Sequence, residues 1–153
     1  MGLFEPIDIA SSALEAERAR MTVIANNLAN VDSTRAADGS LRPYVRKLSI
    51  FKAGAKDITG SNKFGVTLAN IVESTEEFRR VWDPYHPDSV TADDVKRSPE
   101  LFKESDIGFV LYPNVNMPSE MVDMTEASRI YQANISVVGI TRAMVRSTLE
   151  ILA

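Results

Sequence analysis

The sequence predicts an α+β protein in which long N- and C-terminal helices pair in a coiled-coil-like arrangement and a small β-rich domain lies between them. Apolar residues recur every seven positions near both ends of the chain, and this repeat is typical of amphipathic helices that pack along a partner helix. The middle contains most of the prolines and glycines, together with short alternating runs typical of strands. The expected domains are a helical domain of residues 1–31 and 113–153 and a β-rich domain of residues 32–112, with an acidic loop at 90–107.

The longest predicted element is a C-terminal helix from Pro118 to Ile151, because the chain after Pro118 has no proline and only one glycine. At 1.5 Å per residue such a helix is roughly 50 Å long. Its apolar seam has a spacing of seven, and three further residues lie four positions on and widen it: Met117, Met124, Tyr131, Val138, Val145 and Leu152, with Met121, Ile135 and Leu149. One small domain cannot cover a seam of this length, so we expect partners.

The N-terminal helix is predicted to begin at Pro6, because proline is tolerated in a first turn. It is predicted to end near Asn30, where Asp32 and Ser33 favour a turn. Its seam consists of Ile7, Leu14, Met21 and Leu28, with Ala10, Ile24 and Val31 beside it. Two interpretations stay open: the helices bury their seams against each other in a monomer, or neighbouring subunits cover them. The unequal helix lengths favour assembly, because part of the longer seam lacks a partner.

The two terminal helices are expected to pack antiparallel, with Ile7 near Leu149 or Leu152 and Leu28 near Tyr131 or Met124. The seam residues form the candidate subunit interface, which comprises Ile7, Leu14, Met21, Ile24, Leu28, Met121, Met124, Tyr131, Ile135, Val138, Val145, Leu149 and Leu152.

The middle of the chain is predicted to form one small sheet of about four strands, at residues 44–51, 66–72, 78–82 and 108–112. A turn at Glu76-Glu77 is expected to join the second strand to the third, and Gly54, Gly60 and Gly65 are expected to punctuate a loop. Residues 90–107 are polar and acidic, so we expect an exposed loop with one short helix after Pro99, and such loops tolerate shortening.

Composition excludes several classes of function. The formal charge of −4 and a pI of about 5.1 argue against nucleic-acid binding, and the basic cluster of Arg42, Arg46 and Lys47 is expected to be solvated surface. One histidine and no cysteine exclude the usual zinc sites. His86 is interpreted as a turn clamp in its proline-rich loop. We therefore expect neither an enzyme nor a bound cofactor or metal.

No apolar run is long enough to span a membrane, and the N-terminus lacks the pattern of a secretory signal peptide. Export would therefore need a route without a cleaved signal, and direct membrane insertion is not expected.

Three motifs stand out, at residues 25–31, 83–88 and 112–134. Their characteristic positions are Asn26, Asn27, Leu28, Asn30, Asp83, Pro84, His86, Pro87, Asn114, Asn116, Glu120, Asp123, Glu126, Arg129 and Asn134. Together they resemble the rod proteins of the bacterial flagellar basal body, and the loop at 83–88 resembles that of the proximal-rod members. The chain departs from the family in the acidic insert between Ser89 and Gly108 and in Thr125, where an apolar residue is common.

The resemblance implies a structural subunit of the rod, the drive shaft that transmits torque. It implies that the terminal helices form an inner tube domain with the β-rich domain outside. It also implies export through the flagellar type III apparatus, assembly in the periplasm, and contacts with copies of itself, other rod proteins (FlgB, FlgF and FlgG), FliE and the MS ring. The alternatives are another rod or hook-family axial protein, FlgB- or FlgG-like, and a soluble helical adaptor that binds one partner.

Overall fold

The computed structural model describes residues 5–36, 39–56 and 62–152, with side chains outside 55–64 and 151–152. The elements in chain order are α1 (Glu5–Ala29), β1 (Lys47–Lys56), β2 (Asn62–Glu73), β3 (Arg79–Trp82), α2 (Ala92–Arg97), β4 (Phe109–Tyr112) and α3 (Met117–Leu152), with a 3-10 turn at Glu104–Asp106 before β4. The predicted α+β class is confirmed.

Both terminal helices are present, with lengths of 25 and 36 residues. At the end of α1, the Asn30 side-chain amide donates to the Asn26 carbonyl (2.8 Å) and satisfies a terminal acceptor. At the start of α3, the Asn116 side-chain oxygen accepts from the Ser119 amide (3.2 Å) and acts as an N-cap. Local capping chemistry therefore sets the helix ends close to their predicted positions.

The strands form two two-stranded sheets within the described part of the chain, so the prediction of one four-stranded sheet is wrong. β1 pairs with β2, and β3 pairs antiparallel with β4, with Arg79 opposite Tyr112 and Trp82 opposite Phe109. The Glu76-Glu77 turn consequently joins strands of different sheets. A side chain holds this turn away from a continuous sheet. The Asn114 side-chain amide donates to the Glu76 carbonyl (3.0 Å) and places the turn beside the start of α3.

Strands β1 and β2 are longer than predicted at the ends that face each other in sequence, so Gly54 and Gly65 lie within strands rather than in a loop. Gly60 lies outside the described residues. At the other end, β1 begins at Lys47 rather than Tyr44, because the Arg46 amide donates to the Asn114 side chain (2.8 Å) instead of to a neighbouring strand.

The chain divides into two compact units. The first contains Met1–Ala25, Leu48–Val72 and Met121–Ala153, and the second contains Asn26–Lys47 and Glu73–Glu120. The domain boundaries predicted from the sequence stay a prediction.

In the first unit, a serine of α1 contacts β2 at Gly65 and Val66. The Ser12 hydroxyl donates to the Ile9 carbonyl (2.7 Å) and accepts from the Val66 amide (3.2 Å). Gly65 has a φ of +140°, and a Cβ there would lie 2.4 Å from the Ser12 hydroxyl oxygen. Only glycine therefore permits this close approach of strand to helix.

The second unit has a small apolar core made of Val90, Phe102 and Leu111, against which Leu41, Phe78, Val95 and Leu101 pack. Several of these residues come from the acidic insert, so the prediction of a simple exposed loop is wrong. The insert also contains its short helix before Pro99 rather than after it, because Thr91 and Asp94 form a capping box at the start of α2.

Phe102→Ala tests the structural role of the insert. Removing a buried phenylalanine costs about 3–5 kcal/mol, and we expect a loss of this order in the unfolding free energy measured by chemical denaturation. Replacing residues 92–103 with a Gly-Ser link should destabilise the chain in the same direction. Glu100→Ala, at an exposed position in the same segment, is the matched control and should change stability by less than about 0.5 kcal/mol. An unchanged Phe102→Ala protein would contradict the core assignment.

Candidate assembly site and its polar support

Two motif residues in the second unit, Asn27 and Glu120, are almost completely buried, each with 1% of its surface exposed. Asn27 lies in the last turns of α1, and Glu120 lies in the first turn of α3. The Asn27 side-chain amide donates to Glu120 Oε2 (3.1 Å) and to the Lys47 carbonyl (2.8 Å). One amide thus connects the end of one helix, the start of the other and the start of β1.

The other atoms of this polar cluster are also paired. Arg46 Nε donates to Glu120 Oε1 (2.7 Å), and Arg46 Nη2 lies 2.6 Å from the same oxygen. Asn27 Oδ1 accepts from the Tyr44 hydroxyl (3.0 Å) and from the Lys47 amide (2.9 Å). The buried Glu120 carboxylate therefore has the Arg46 guanidinium as its counter-ion. Both the nitrogen and the oxygen of the Asn27 side-chain amide have hydrogen-bond partners.

Burial raises the pKa of the Tyr44 hydroxyl, and the carboxylates of Glu120 and Glu73 raise it further. The phenol consequently stays protonated at neutral pH and remains a donor to Asn27. The cluster thus contains the uncharged Tyr44 hydroxyl, the Asn27 amide and the ion pair between Arg46 and Glu120, all largely shielded from water. Such a cluster is costly to leave half-satisfied, because each unpaired member would lose its hydration without replacement.

Sequence reasoning recognised Asn27, Asn114 and Glu120 as motif positions, and the structure brings them together through Arg46. Arg46 and Tyr44 were missed. Arg46 was expected to be solvated surface, yet its side chain pairs with a carboxylate 74 positions away. The available signal was an acidic motif residue in the first turn of a predicted helix together with an arginine in a predicted strand, but the proximity of the two is a tertiary property.

The loop at 83–88 is held by short-range hydrogen bonds. The Asp88 amide donates to His86 Nδ1 (3.1 Å), and the Tyr85 amide donates to Asp83 Oδ1 (3.2 Å). His86 therefore acts within a turn, and Tyr85 is left 97% exposed.

The Asp88 carboxylate connects this loop to the chain that follows α1. It accepts from the Thr34 hydroxyl (2.7 Å) and from Arg35 Nε (2.5 Å). The hydrogen bond from Thr34 lowers the pKa of Asp88, and the hydrogen bond and charge of Arg35 lower it further against an opposing effect of burial. The carboxylate is thus ionised under ordinary conditions and anchors the loop.

In the first unit, three acidic side chains surround Arg20 where α1 and α3 lie side by side. Arg20 Nη2 lies 3.6 Å from Asp123 Oδ1 and 3.7 Å from Glu126 Oε2, and Arg20 Nη1 lies 4.0 Å from Glu17 Oε2. Burial raises the pKa of Glu17; Arg20 opposes this effect and Glu126 adds to it. The two helices are therefore in contact here, while coiled-coil pairing along their full length stays a prediction.

The predicted seam residues differ widely in exposure. Ile24 is buried, whereas Met121, Ile135 and Leu149 are 56%, 50% and 62% exposed. The remaining seam residues with described side chains are half-buried: Ile7, Leu14, Met21, Leu28, Met124, Tyr131, Val138 and Val145. The side chain of Leu152 lies outside the described part of the chain. Their assignment as a subunit interface stays a prediction.

The most deeply buried positions of α3 are Glu120, Ala127 and Thr141, which also follow the spacing of seven but lie beside the predicted seam. In α1 the predicted stripe residues Ala10 and Ile24 are buried, and Ala16, Val23 and Asn27 are buried beside them. Small side chains at a helix contact permit a short interaxial distance. Sequence reasoning missed this line because it followed the largest apolar residues.

The other motif positions serve local structure or lie on the surface. The Ser33 hydroxyl donates to Asn30 Oδ1 (3.1 Å), and the Asn134 amide donates to the Ile130 carbonyl (3.0 Å). Asn26 and Arg129 are exposed, and Leu28 is half-buried. Among the residues with described positions, no group of three or more His, Cys, Asp or Glu is arranged to hold a metal ion. Neither described long helix is apolar enough over eighteen residues to cross a membrane.

Comparison with known proteins connects this architecture to the bacterial flagellum. Residues 7–36 match the family model for flagella basal body rod proteins, and residues 107–151 match the C-terminal model of the flagellar basal body rod FlgEFG proteins. The matched segments contain most of α1 and most of α3, so both terminal helices are similar to those of the flagellar rod class.

Similar whole-length proteins define the class more narrowly. The flagellar basal-body rod protein FlgC of Borreliella burgdorferi is 39% identical over 99% of both chains, and that of Bacillus subtilis is 32% identical over the same shares. FlgC of Salmonella typhimurium is 37% identical over 99% of this chain and 98% of its own. The chain belongs to the FlgC family of flagellar basal-body rod proteins. The expected resemblance to the rod proteins is confirmed, and the chain is a structural subunit of the basal-body rod.

Glu120→Ala tests the polar cluster. It leaves Arg46 and Asn27 without their buried partner, and breaking a buried pair in this way costs about 3–5 kcal/mol. We expect a loss of that order in the unfolding free energy. In a double-mutant cycle, the loss for Glu120→Ala and Arg46→Ala combined should be smaller than the sum of the two single losses. Glu150→Ala removes an exposed pair with Arg146 on the same helix and should cost less than about 0.5 kcal/mol. Equal effects of the two glutamate changes would contradict the importance of the cluster.

Glu17 predicts a pH dependence within the first unit. Its folded pKa lies above the ordinary value of 4.5, so the stability associated with its protonated form is present below that value and is lost as the pH rises through the folded pKa. Glu17→Gln should therefore become more stable relative to the parent protein between pH 4 and pH 7. Unfolding midpoints measured across this range test the difference, and Glu15→Gln, at an exposed position of α1, should show none. A difference that is independent of pH would contradict the raised pKa.

Proposed function

We propose that the chain polymerises through its terminal helices into the proximal part of the rod, which transmits torque. The observation that carries this proposal is the row of exposed apolar residues on α3, where Met121, Ile135 and Leu149 are each at least half exposed. Monomeric proteins rarely leave large apolar residues in an extended row, and such rows mark interaction surfaces.

The spacing of these residues supports assembly along the helix rather than at one point. They are fourteen positions apart, and a helix of 36 residues distributes them over most of its length. Burying a large apolar side chain contributes about 1.5–3 kcal/mol relative to leaving it exposed. Neighbouring subunits that cover this row would therefore gain several such contributions from each helix.

A shaft must transmit torque without sliding between subunits. Interdigitated side chains resist sliding because close-packed surfaces have discrete positions of low energy rather than a smooth path. The polar cluster around Glu120 contributes separately, because it fixes the first turn of α3 against the end of α1 within the second unit. In this role the chain acts as a mechanical component, and the proposal assigns it no enzymatic activity.

Family membership supports the remaining parts of the proposal. They are contacts with copies of itself and with the rod proteins FlgB, FlgF and FlgG, and attachment near FliE and the MS ring. They also include export by the flagellar type III apparatus and a position in the periplasm. The similarity over the whole chain is to FlgC proteins, which favours the proximal rod over a FlgB- or FlgG-like place or a soluble adaptor.

Val138→Asp tests assembly through the seam. Val138 is half-buried at the centre of α3, and a carboxylate covered there by a neighbour would lack a partner, at a cost of several kcal/mol. In a strain that depends on this chain, we expect loss of motility and basal bodies that stop at the rod, while the variant is still secreted. Gln132→Asp, at an exposed position on the same helix, should swim normally. Normal swimming by the Val138→Asp strain would contradict an interface at the seam.

A further inference from the structure

The chain passes between the two compact units at four connections, which lie at residues 25–26, 47–48, 72–73 and 120–121. On the side of the second unit, each connection has a residue that forms a hydrogen bond with a residue at or beside another connection. These residues are Asn27, Lys47, Ser74 and Glu120. The polar cluster of the second unit therefore lies where the four connections begin.

Asn27 holds three of the connections together. Its side-chain nitrogen donates to the Lys47 carbonyl (2.8 Å) and to Glu120 Oε2 (3.1 Å), and its side-chain oxygen accepts from the Lys47 amide (2.9 Å). Asn27 belongs to α1, Lys47 is the first residue of β1, and Glu120 lies in the first turn of α3. One side chain thus links three segments that continue into the first unit.

Arg46 adds the fourth connection. Its carbonyl accepts from the amide of Ser74 (2.8 Å), the residue that follows the end of β2. Its guanidinium binds Glu120 Oε1 through Nε (2.7 Å) and Nη2 (2.6 Å), and its amide donates to Asn114 Oδ1 (2.8 Å). The end of β2 is consequently tied to the first turn of α3 through a single residue.

Burial makes these bonds act together. Asn27 and Glu120 are each 1% exposed, and the Arg46 side chain is 20% exposed. If one connection moved away, a buried donor or acceptor would lose its partner, and water would replace that partner only by opening the remaining bonds. The four connections should therefore open as one set rather than one at a time.

We propose that the polar cluster is a mechanical joint, which holds the four connections together in the second unit and distributes an applied load among them. The inference rests on the proposed function, because a subunit carries such a load only when it transmits torque. A force that reaches Glu120 along α3 passes through Asn27 and Arg46 to the other connections, so no single segment bears it alone. Hydrogen bonds suit this task better than apolar contacts, because they fix the direction as well as the distance between the groups that they join.

A joint differs in its effects from a cluster that only stabilises the second unit. A purely stabilising cluster would be equivalent to the apolar core of Val90, Phe102 and Leu111, none of which stands at a connection. Equal losses of unfolding free energy at the two places would then have equal effects on the rod. A joint predicts unequal effects, which grow with the load.

Swimming under increasing viscous drag tests this prediction in a strain that depends on the chain. Glu120→Gln keeps the size of the side chain but removes the charge that pairs with Arg46. The matched control is Phe102→Leu or Phe102→Ala, whichever has the unfolding midpoint closer to that of Glu120→Gln. We expect both variants to swim in dilute medium, and the speed of the Glu120→Gln strain relative to the control strain to fall as the viscosity rises.

Amide exchange of the full-length chain gives a second readout that does not depend on swimming. The Ser74 amide bonds to Arg46 and not to Glu120, so a local effect of Glu120→Gln would leave its exchange rate unchanged. The joint predicts faster exchange at Ser74 as well as at Lys47 in this variant, whereas the Phe102 control should accelerate neither beyond the shared loss of stability.

Tyr44→Phe removes only the hydroxyl that donates to Asn27, and it replaces Glu120→Gln in both measurements if the Glu120→Gln chain builds no rods. An unchanged exchange rate at Ser74, or a speed ratio that is independent of viscosity, would overturn the joint and leave polymerisation intact. If a strain without the chain builds complete rods, the proposed function fails and the joint fails with it.

Discussion

The buried charge of Glu120 is the constraint on which the second unit depends. A carboxylate with 1% exposure requires a counter-ion and further donors, since an uncompensated buried charge costs several kcal/mol. Arg46 supplies the charge and Asn27 supplies a donor. Because Arg46 directly precedes β1 and Asn27 lies near the end of α1, the requirement of one side chain fixes three chain segments together.

The polar cluster and the apolar surfaces have different roles. Polar groups that are fully paired hold a unique local arrangement, because any shift would leave a donor or acceptor without a partner. Apolar surfaces are less directional, and the exposed apolar residues of α3 remain in water in the single chain at a moderate cost. This division would suit the proposed assembly, in which the polar cluster keeps its local geometry and neighbouring subunits cover the exposed side of α3.

The sequence determined the terminal helices well because their signals are local. Pro6 permits the first turn of α1, and Asn116 caps α3, so both helices could be located without knowledge of their surroundings. The sheets were harder, since β3 pairs with β4, from which the insert separates it in the chain, and not with β2. Phe102 lay in a segment that reads as acidic and polar, and its burial follows from contacts with Val90 and Leu111.

The motif positions of the polar cluster were recognisable, but the role of Arg46 is visible only when residues 74 positions apart meet. On the helices, large apolar residues marked the seam, whereas the buried line contains Ala127 and Thr141, whose small size carries little signal in a hydrophobic pattern.

Amide hydrogen exchange most directly tests whether the subunit completes its helical packing only with neighbours. Exchange would be measured on a proven monomer and on the assembled protein, with separate values for residues 26–47, 114–120 and 129–150. We expect protection of the first two segments in the monomer, because the polar cluster holds them, and fast exchange over 129–150 that slows on assembly. Isolated helices depend on packing for most of their stability, so exposed apolar flanks should leave this part of α3 open to exchange. Strong protection over 129–150 in the monomer, equal to that of the polar cluster, would contradict this view and indicate a helical hairpin that is complete before assembly.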